Sequence, residues 1–234
     1  MLRTFSALAA VATAAALNTT DSGLRGIDYS TLVSVDAHSC LLDSGYSFVV
    51  PRGFRSNGQL DENVCQNLLN AQSAGFGTRD VYIFPCPTCS ATAETQMSTL
   101  VNYLNANCAS AWTGRVWLDI EGTEYWMSSY SSNQAFYHAL VDSCASAGVR
   151  CGVYSSQYQW TSLFGSASYC YGDNSDGNFP VWYSHYDNDP NFDDYYSKYS
   201  FGCWTNLDLN PLAKQYVGTT SVCGASVDLN SAIM

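Results

Sequence analysis

Eight short runs rich in apolar, β-branched and aromatic residues punctuate the chain, at 26–30, 46–54, 79–85, 115–121, 150–156, 179–186, 214–219 and 225–230. Their length and composition predict strands. Three of the intervals between them repeat apolar residues at helical spacing. Over 61–75, Val64, Leu68 and Leu69 recur at near-helical steps and Gly75 ends the pattern. Over 90–108, Met97, Leu100, Val101 and Leu104 form one stripe, with Ser90 as the N-cap. Over 131–148, Phe136, Leu140, Val141 and Cys144 do the same, and Gly148 is the stop. Strands that are apolar throughout and alternate with helices predict a parallel sheet covered by helices. From residue 155 onward the helical spacing fades into loops rich in Tyr, Asp, Asn and Gly. No G-x-G-x-x-G follows the first strand, so an open dinucleotide-binding sheet lacks its fingerprint. Eight candidate strands in a single domain favour a closed α/β barrel with few helices in its second half.

The phase of the alternation matters most in "RVWLDIEGTEYW", residues 115–126. In a strand, Trp117, Asp119 and Glu121 point to one face, and Val116, Leu118 and Ile120 to the other. Two residues of rise, about 6–7 Å, bring both carboxyl groups to one small volume at the strand's C-terminal end. An isolated pair of this kind is more often a solvated strand cap. A barrel changes the balance, because its active site is built from the C-terminal ends of its strands. Those ends supply Asp28, Arg52, Tyr82, Phe84, Asp119, Glu121, Tyr154, Trp182, Tyr183, Tyr216 and Asp228. Carboxyl groups ringed by flat amphipathic side chains suit a sugar. The set holds no Ser-His-Asp arrangement and no metal cluster. A general acid at pH 5–7 needs a proton held above the ~4.3 reference of Glu. Asp119 and Asp28 are expected to do this for Glu121 by repulsion, with Trp117 and Trp126 adding desolvation. The spacing straddles the carboxyl separations of retaining and inverting glycosidases, so geometry alone leaves the stereochemistry open.

The motifs "GIDYS", "WLDIEG", "GVYSS" and "VDLN", at the first, fourth, fifth and last strands, resemble those of the glycoside hydrolase family 25 lysozymes. The likeness is to the eukaryotic branch of nematodes and protists, whose third strand ends much as "VYIFPCP" does here, and it runs from about Gly26 onward. It implies an irregular (β/α), TIM-like barrel. It also implies hydrolysis of the β-1,4 bond between N-acetylmuramic acid and N-acetylglucosamine in bacterial peptidoglycan. By the same resemblance Glu121 is the proton donor and Asp119 assists, holding the 2-acetamido group for internal attack with net retention. Asp28 and Asp228 line the cleft, and Tyr82 and Tyr154 are aromatic positions beside it. One departure is "PRGFRSNG" after the second strand, where many relatives carry an acid; Arg52 there pairs with a carboxylate or binds an anionic part of the substrate. A chitinase-like hydrolase stays open as an alternative, although Gly114 to Leu118 lacks the carboxylates of that family's longer run. So does an inactive sugar-binding barrel.

Composition narrows the setting. Residues 1–17 carry one Arg, an apolar run and small residues, the order of a secretory signal peptide, which leaves 18–234 as the catalytic barrel. Ten cysteines agree with an oxidising destination. Their connectivity is open, with Cys86–Cys89 and Cys144–Cys151 as local candidates. "CPTC" also has the form of a redox site, but eight further cysteines favour a structural bridge. The formal charge is -11 with only nine scattered basic residues, which argues against nucleic-acid binding. An acidic enzyme acting on an anionic wall is expected to work best at acidic pH, outside the cell or in a digestive compartment. No cofactor, metal or membrane partner is expected, and a monomer is. The only glycosylation sequon is Asn18-Thr19-Thr20. The acidic stretch 188–199 lacks EF-hand spacing and is expected to be a solvated loop, with His185 a loop residue.

Overall fold

The computed structural model describes residues 23–172, 179–205 and 211–233. The expected signal peptide and the sequon at Asn18 lie outside the described residues. In chain order the elements are β1 (Leu24–Tyr29), α1 (Val35–Asp43), β2 (Tyr46–Phe54), α2 (Val64–Ala74), β3 (Thr78–Arg79), β4 (Val81–Ile83) and α3 (Ala93–Asn107). They continue with β5 (Arg115–Asp119), α4 (Tyr130–Ser146), β6 (Arg150–Ser155), α5 (Gln157–Phe164), β7 (Val181–Ser184), β8 (Ala213–Val222) and β9 (Ala225–Ala232). The two-residue β3 only extends the edge of β2. The other eight strands close into a barrel in the order β1-β2-β4-β5-β6-β7-β8-β9, with β9 returning to β1.

All eight sequence runs become strands, but the sheet is not wholly parallel. β9 runs antiparallel to both neighbours, β8 and β1. The cause is local. β8 and β9 are joined through Cys223 and Gly224, both left-handed at φ 54° and 74°. A two-residue connection of that hand makes a hairpin and is far too short for a parallel crossover. A disulfide from Cys223 to Cys40 ties this hairpin to α1.

Two helices escape the periodicity reading. α1 is nine residues long and buries His38 and Leu41, so its inner face is not an apolar stripe. His38 sits between the Tyr29 hydroxyl, 2.7 Å from Nε2, and the Ser34 carbonyl, 2.9 Å from Nδ1. α5 is capped by Ser156 and ends at the left-handed Gly165. The cap of α3 is Thr92, whose hydroxyl accepts from the Thr95 amide, and not Ser90. α5 lies past residue 155, where helical spacing was expected to have faded; beyond it the described residues form no further α-helix, and a five-residue π turn (Tyr195–Tyr199) and a 3-10 turn (Gly202–Trp204) stand in.

The main core lies between the barrel wall and α2–α5, where Val116, Leu118 and Ile120 meet Met97, Leu100, Tyr137 and Leu140. Inside the barrel Phe48, Val50, Trp117, Tyr154 and Trp182 pack as a plug. Two glycines make room for it. A Cβ on Gly26 would lie 2.2 Å from the Phe48 ring, and one on Gly152 would lie 2.5 Å from Trp117. The plug fills the lower barrel and leaves the upper end to polar side chains. All ten cysteines are paired, as Cys40–Cys223, Cys65–Cys108, Cys86–Cys89, Cys144–Cys151 and Cys170–Cys203. Both local candidates are therefore bridges, and "CPTC" is a closed loop.

Candidate active site

Above the plug, at the C-terminal ends of the parallel strands, a cavity of about 190 Å³ is lined by Asp28, Arg52, Tyr82, Phe84, Asp119, Glu121, Tyr154, Trp182, Tyr186, Gln215 and Asp228. Alternation explains the membership. Trp117 points into the barrel, so Asp119 two residues on does too, and Glu121 follows just past the strand end. Asp28 and Asp228 face each other in register across β1 and β9. All seven residues anticipated as catalytic or substrate-binding (Glu121, Asp119, Asp28, Asp228, Tyr82, Tyr154, Trp182) line this one cavity.

Two anticipated strand ends do not. Tyr183 follows Trp182 and so faces outward, its ring packed on Tyr195 and its hydroxyl donating to Asp194 at 2.7 Å. Tyr216 likewise follows the inward Gln215. Trp182, anticipated as a substrate-binding residue, lines the cavity from below, with only 2 % of it exposed and its indole donating to Asn230 at 2.9 Å. It is floor. Trp126 supports Glu121 through the backbone, its indole donating to the Glu121 carbonyl at 2.9 Å.

Gln215, Tyr186 and Asn230 were not anticipated. The Gln215 amide donates to Asp28 at 2.8 Å and to Asp228 at 3.3 Å, while its carbonyl accepts from Tyr154 at 2.6 Å and Tyr186 at 2.8 Å. Asn230 adds a second donor to Asp28 at 2.7 Å. No strand-face pattern in the sequence marks Gln215 and Asn230; the structure pairs them in register across β8 and β9.

Four carboxyl groups in one cavity repel and resist ionisation. Burial, then Asp228 and Glu124, pushes Glu121 up to about 7. Asp228 and the exposed Glu124 are thus added to the expected neighbours, and the repulsion between Glu121 and the pair Asp119 and Asp28 is felt by those two groups, each pushed up in part by Glu121. Asp119 is itself pushed well up by burial, Glu121 and Asp28, against the pull of Arg52. Burial and Asp228 lift Asp28 to about 8 despite its two amide donors, and burial raises Asp228. One oxygen of Asp119, Oδ1, is buried with no hydrogen-bond partner. An unsatisfied buried acceptor is costly unless something arrives to meet it. Arg52 pairs with a carboxylate, Asp61, at 2.8 Å, and Arg55 holds the other Asp61 oxygen at 3.2 Å.

The acidic loop is less free than expected. His185, Asp187 and Asp194 gather, but the inaccessible Lys214 ammonium lies 2.7 Å from Asp187 and 3.5 Å from Asp194. A protein cation already balances them. No helix among the described residues is long and apolar enough to cross a membrane.

A family profile described as "Lysozyme-like protein 1" matches residues 19–216. A probable GH family 25 lysozyme (lysozyme 2) of Dictyostelium discoideum is 41 % identical over 209 residues, 89 % of this chain and 91 % of that protein. Lysozyme-like protein 5 of Caenorhabditis elegans is 36 % identical over 88 % of this chain and 90 % of its own length. Among solved structures, a muramidase from Trichobolus zukalii superposes with a TM-score of 0.65 at 18 % identity, covering 91 % of this chain and 94 % of that one.

Proposed function

The chain belongs to the glycoside hydrolase family 25 lysozymes and is a glycoside hydrolase; from that premise we propose that it is a secreted N-acetylmuramidase. Its bond is the β-1,4 link from N-acetylmuramic acid to N-acetylglucosamine in bacterial peptidoglycan. Protonated Glu121 gives its proton to the glycosidic oxygen as the bond to the anomeric carbon breaks. The substrate's acetamide oxygen closes on that carbon, forming a cyclic intermediate. Its N–H donates to Asp119 Oδ1, which favours the ionised carboxyl that burial alone disfavours. Glu121, now a carboxylate, takes a proton from water as that water opens the ring, giving net retention. Gln215 and Asn230 hold Asp28 against the reacting sugar's face of the cavity.

The observation that carries this reading is the unpartnered Asp119 Oδ1 beside a glutamic acid still protonated near neutrality. The test incubates purified protein and Glu121→Gln with peptidoglycan and with chitin oligomers. Muramic reducing ends from the wild type, reduced about 10²–10⁴-fold in the variant, are expected. Preferential cleavage of chitin would favour the chitinase-like alternative, and binding without turnover would leave a sugar-binding barrel. Proton NMR of the first product should show the β anomer. Digestion of bacteria or defence against them would use the same chemistry.

A further inference from the structure

Beneath the plug, at the N-terminal ends of the strands, a separate cavity of about 290 Å³ has Arg115, Arg150, Asp80, Thr113, Trp117 and Leu212 in its walls. Alternation aims both arginines there. Arg115 shares the inward face of Trp117, and Arg150 that of Gly152 and Tyr154. The two stand in register on β5 and β6. Like charges so placed weaken a strand pair unless an anion meets them. We propose that this lower pocket binds a small organic oxoanion, a carboxylate or a phosphate ester, whose charged end bridges Arg115 and Arg150 and whose body rests on Trp117 and Leu212.

Asp80 does not take the anion's place. Its carboxyl accepts from the Thr113 hydroxyl at 2.5 Å and from the Trp117 indole. Arg115 Nε stands 3.9 Å from it, beyond hydrogen-bond reach. Even with Asp80 ionised, the two guanidiniums leave a positive charge over, in a chain whose net charge is -11. Burial pushes Arg115 below its ordinary value and the Arg150 charge adds to this, against the pull of Asp80, so an arriving anion would relieve it. Each guanidinium makes one hydrogen bond among the described residues. Arg115 Nη1 donates to the Cys151 carbonyl at 3.0 Å, and Arg150 Nη2 to the Thr113 carbonyl at 3.2 Å. Most of their N–H donors stay open, in planar forks that match a carboxylate or phosphate. The cavity is close to the lower end of the size range of small-molecule sites and roomier than a bare ion needs. Its Trp117 and Leu212 walls are apolar, which calls for an organic body behind the charge. The pocket lies at the opposite end of the barrel from Glu121 and is independent of the chemistry there.

Calorimetric titration of the whole protein with glycerol phosphate, succinate and inorganic phosphate, at fixed ionic strength, tests this. At least one organic probe should bind saturably with a Kd of about 1 mM or tighter, and the tighter of the two identifies the headgroup. Arg150→Gln, at an exposed side chain, should weaken that probe about tenfold or more. Arg25→Gln removes an equal charge from the same rim, at the start of β1 and outside the pocket, and should leave binding unchanged. Circular dichroism of both variants should match wild type. No saturable binding by wild type, binding undiminished in Arg150→Gln, or equal losses in the two variants would overturn the site. Inorganic phosphate binding as tightly as the organic probes would overturn the organic ligand.

Discussion

Glu121 is held protonated by burial and by Asp228, and that has a direct kinetic signature. Because the acid must carry its proton, kcat/KM should fall as pH rises through about 7, with activity sustained below it. A profile still climbing above pH 8 would contradict the assignment. Gln215 tests the surrounding network. Gln215→Glu replaces a donor shared by Asp28 and Asp228 with a fifth carboxyl group. The alkaline limb should move upward and kcat/KM should drop at least tenfold, whereas a merely structural glutamine would leave the limb in place. At this scale the sequence was legible for the acids on strand ends, because side-chain alternation aims them, but not for Tyr183 and Tyr216, each one step out of phase with an inward neighbour, Trp182 or Gln215. Gln215 was hidden because "KQYVGT" has no apolar face to set its phase, and Tyr216 looked the better candidate. Tyr186 lies beyond β7, where alternation no longer applies.

Among elements, the clearest device is the disulfide from α1 to the β8–β9 hairpin, spanning 183 residues. It closes nearly the whole described chain and restricts the unfolded ensemble accordingly. Cys40→Ser with Cys223→Ser should lower stability by about 2–5 kcal/mol, seen as a lower urea midpoint with little change in kcat at 25 °C. An unchanged midpoint would mean the bridge is redundant with the β1–β9 pairing. The strands were readable since each is a compact apolar run, and α2 to α4 since their stripes repeat. α1 was not, because a histidine takes a core position in it. The orientation of β9 was not readable from its own residues either; it depends on a left-handed turn at Cys223, a residue that seldom adopts one.

For the whole molecule, crowded acids link stability to pH. Asp28 titrates near the ordinary Asp value when unfolded and at about 8 when folded. The unfolded chain thus binds fewer protons between those limits, so stability falls as pH rises across them. Asp28→Asn should flatten that decline, raising the Tm relative to wild type at pH 8 but not at pH 4. Calorimetry at the two pH values decides it. The net charge of -11 acts at longer range. Lysis of intact anionic walls at pH 7 should quicken between about 10 and 150 mM salt, as screening shortens the Debye length from about 30 to 8 Å. Turnover of short neutral glycans should not respond.

The pairing of β1 with β9 joins strands 200 positions apart in order, and it sets Asp28 opposite Asp228. Neither strand alone presents the acidic rim, and no half of the ring can assemble it. Catalytic competence therefore arrives late in folding and departs early in unfolding. Hydrolysis should report whether the circle is shut, so loss of turnover in denaturant should precede or coincide with the collapse of tryptophan fluorescence and never lag behind it.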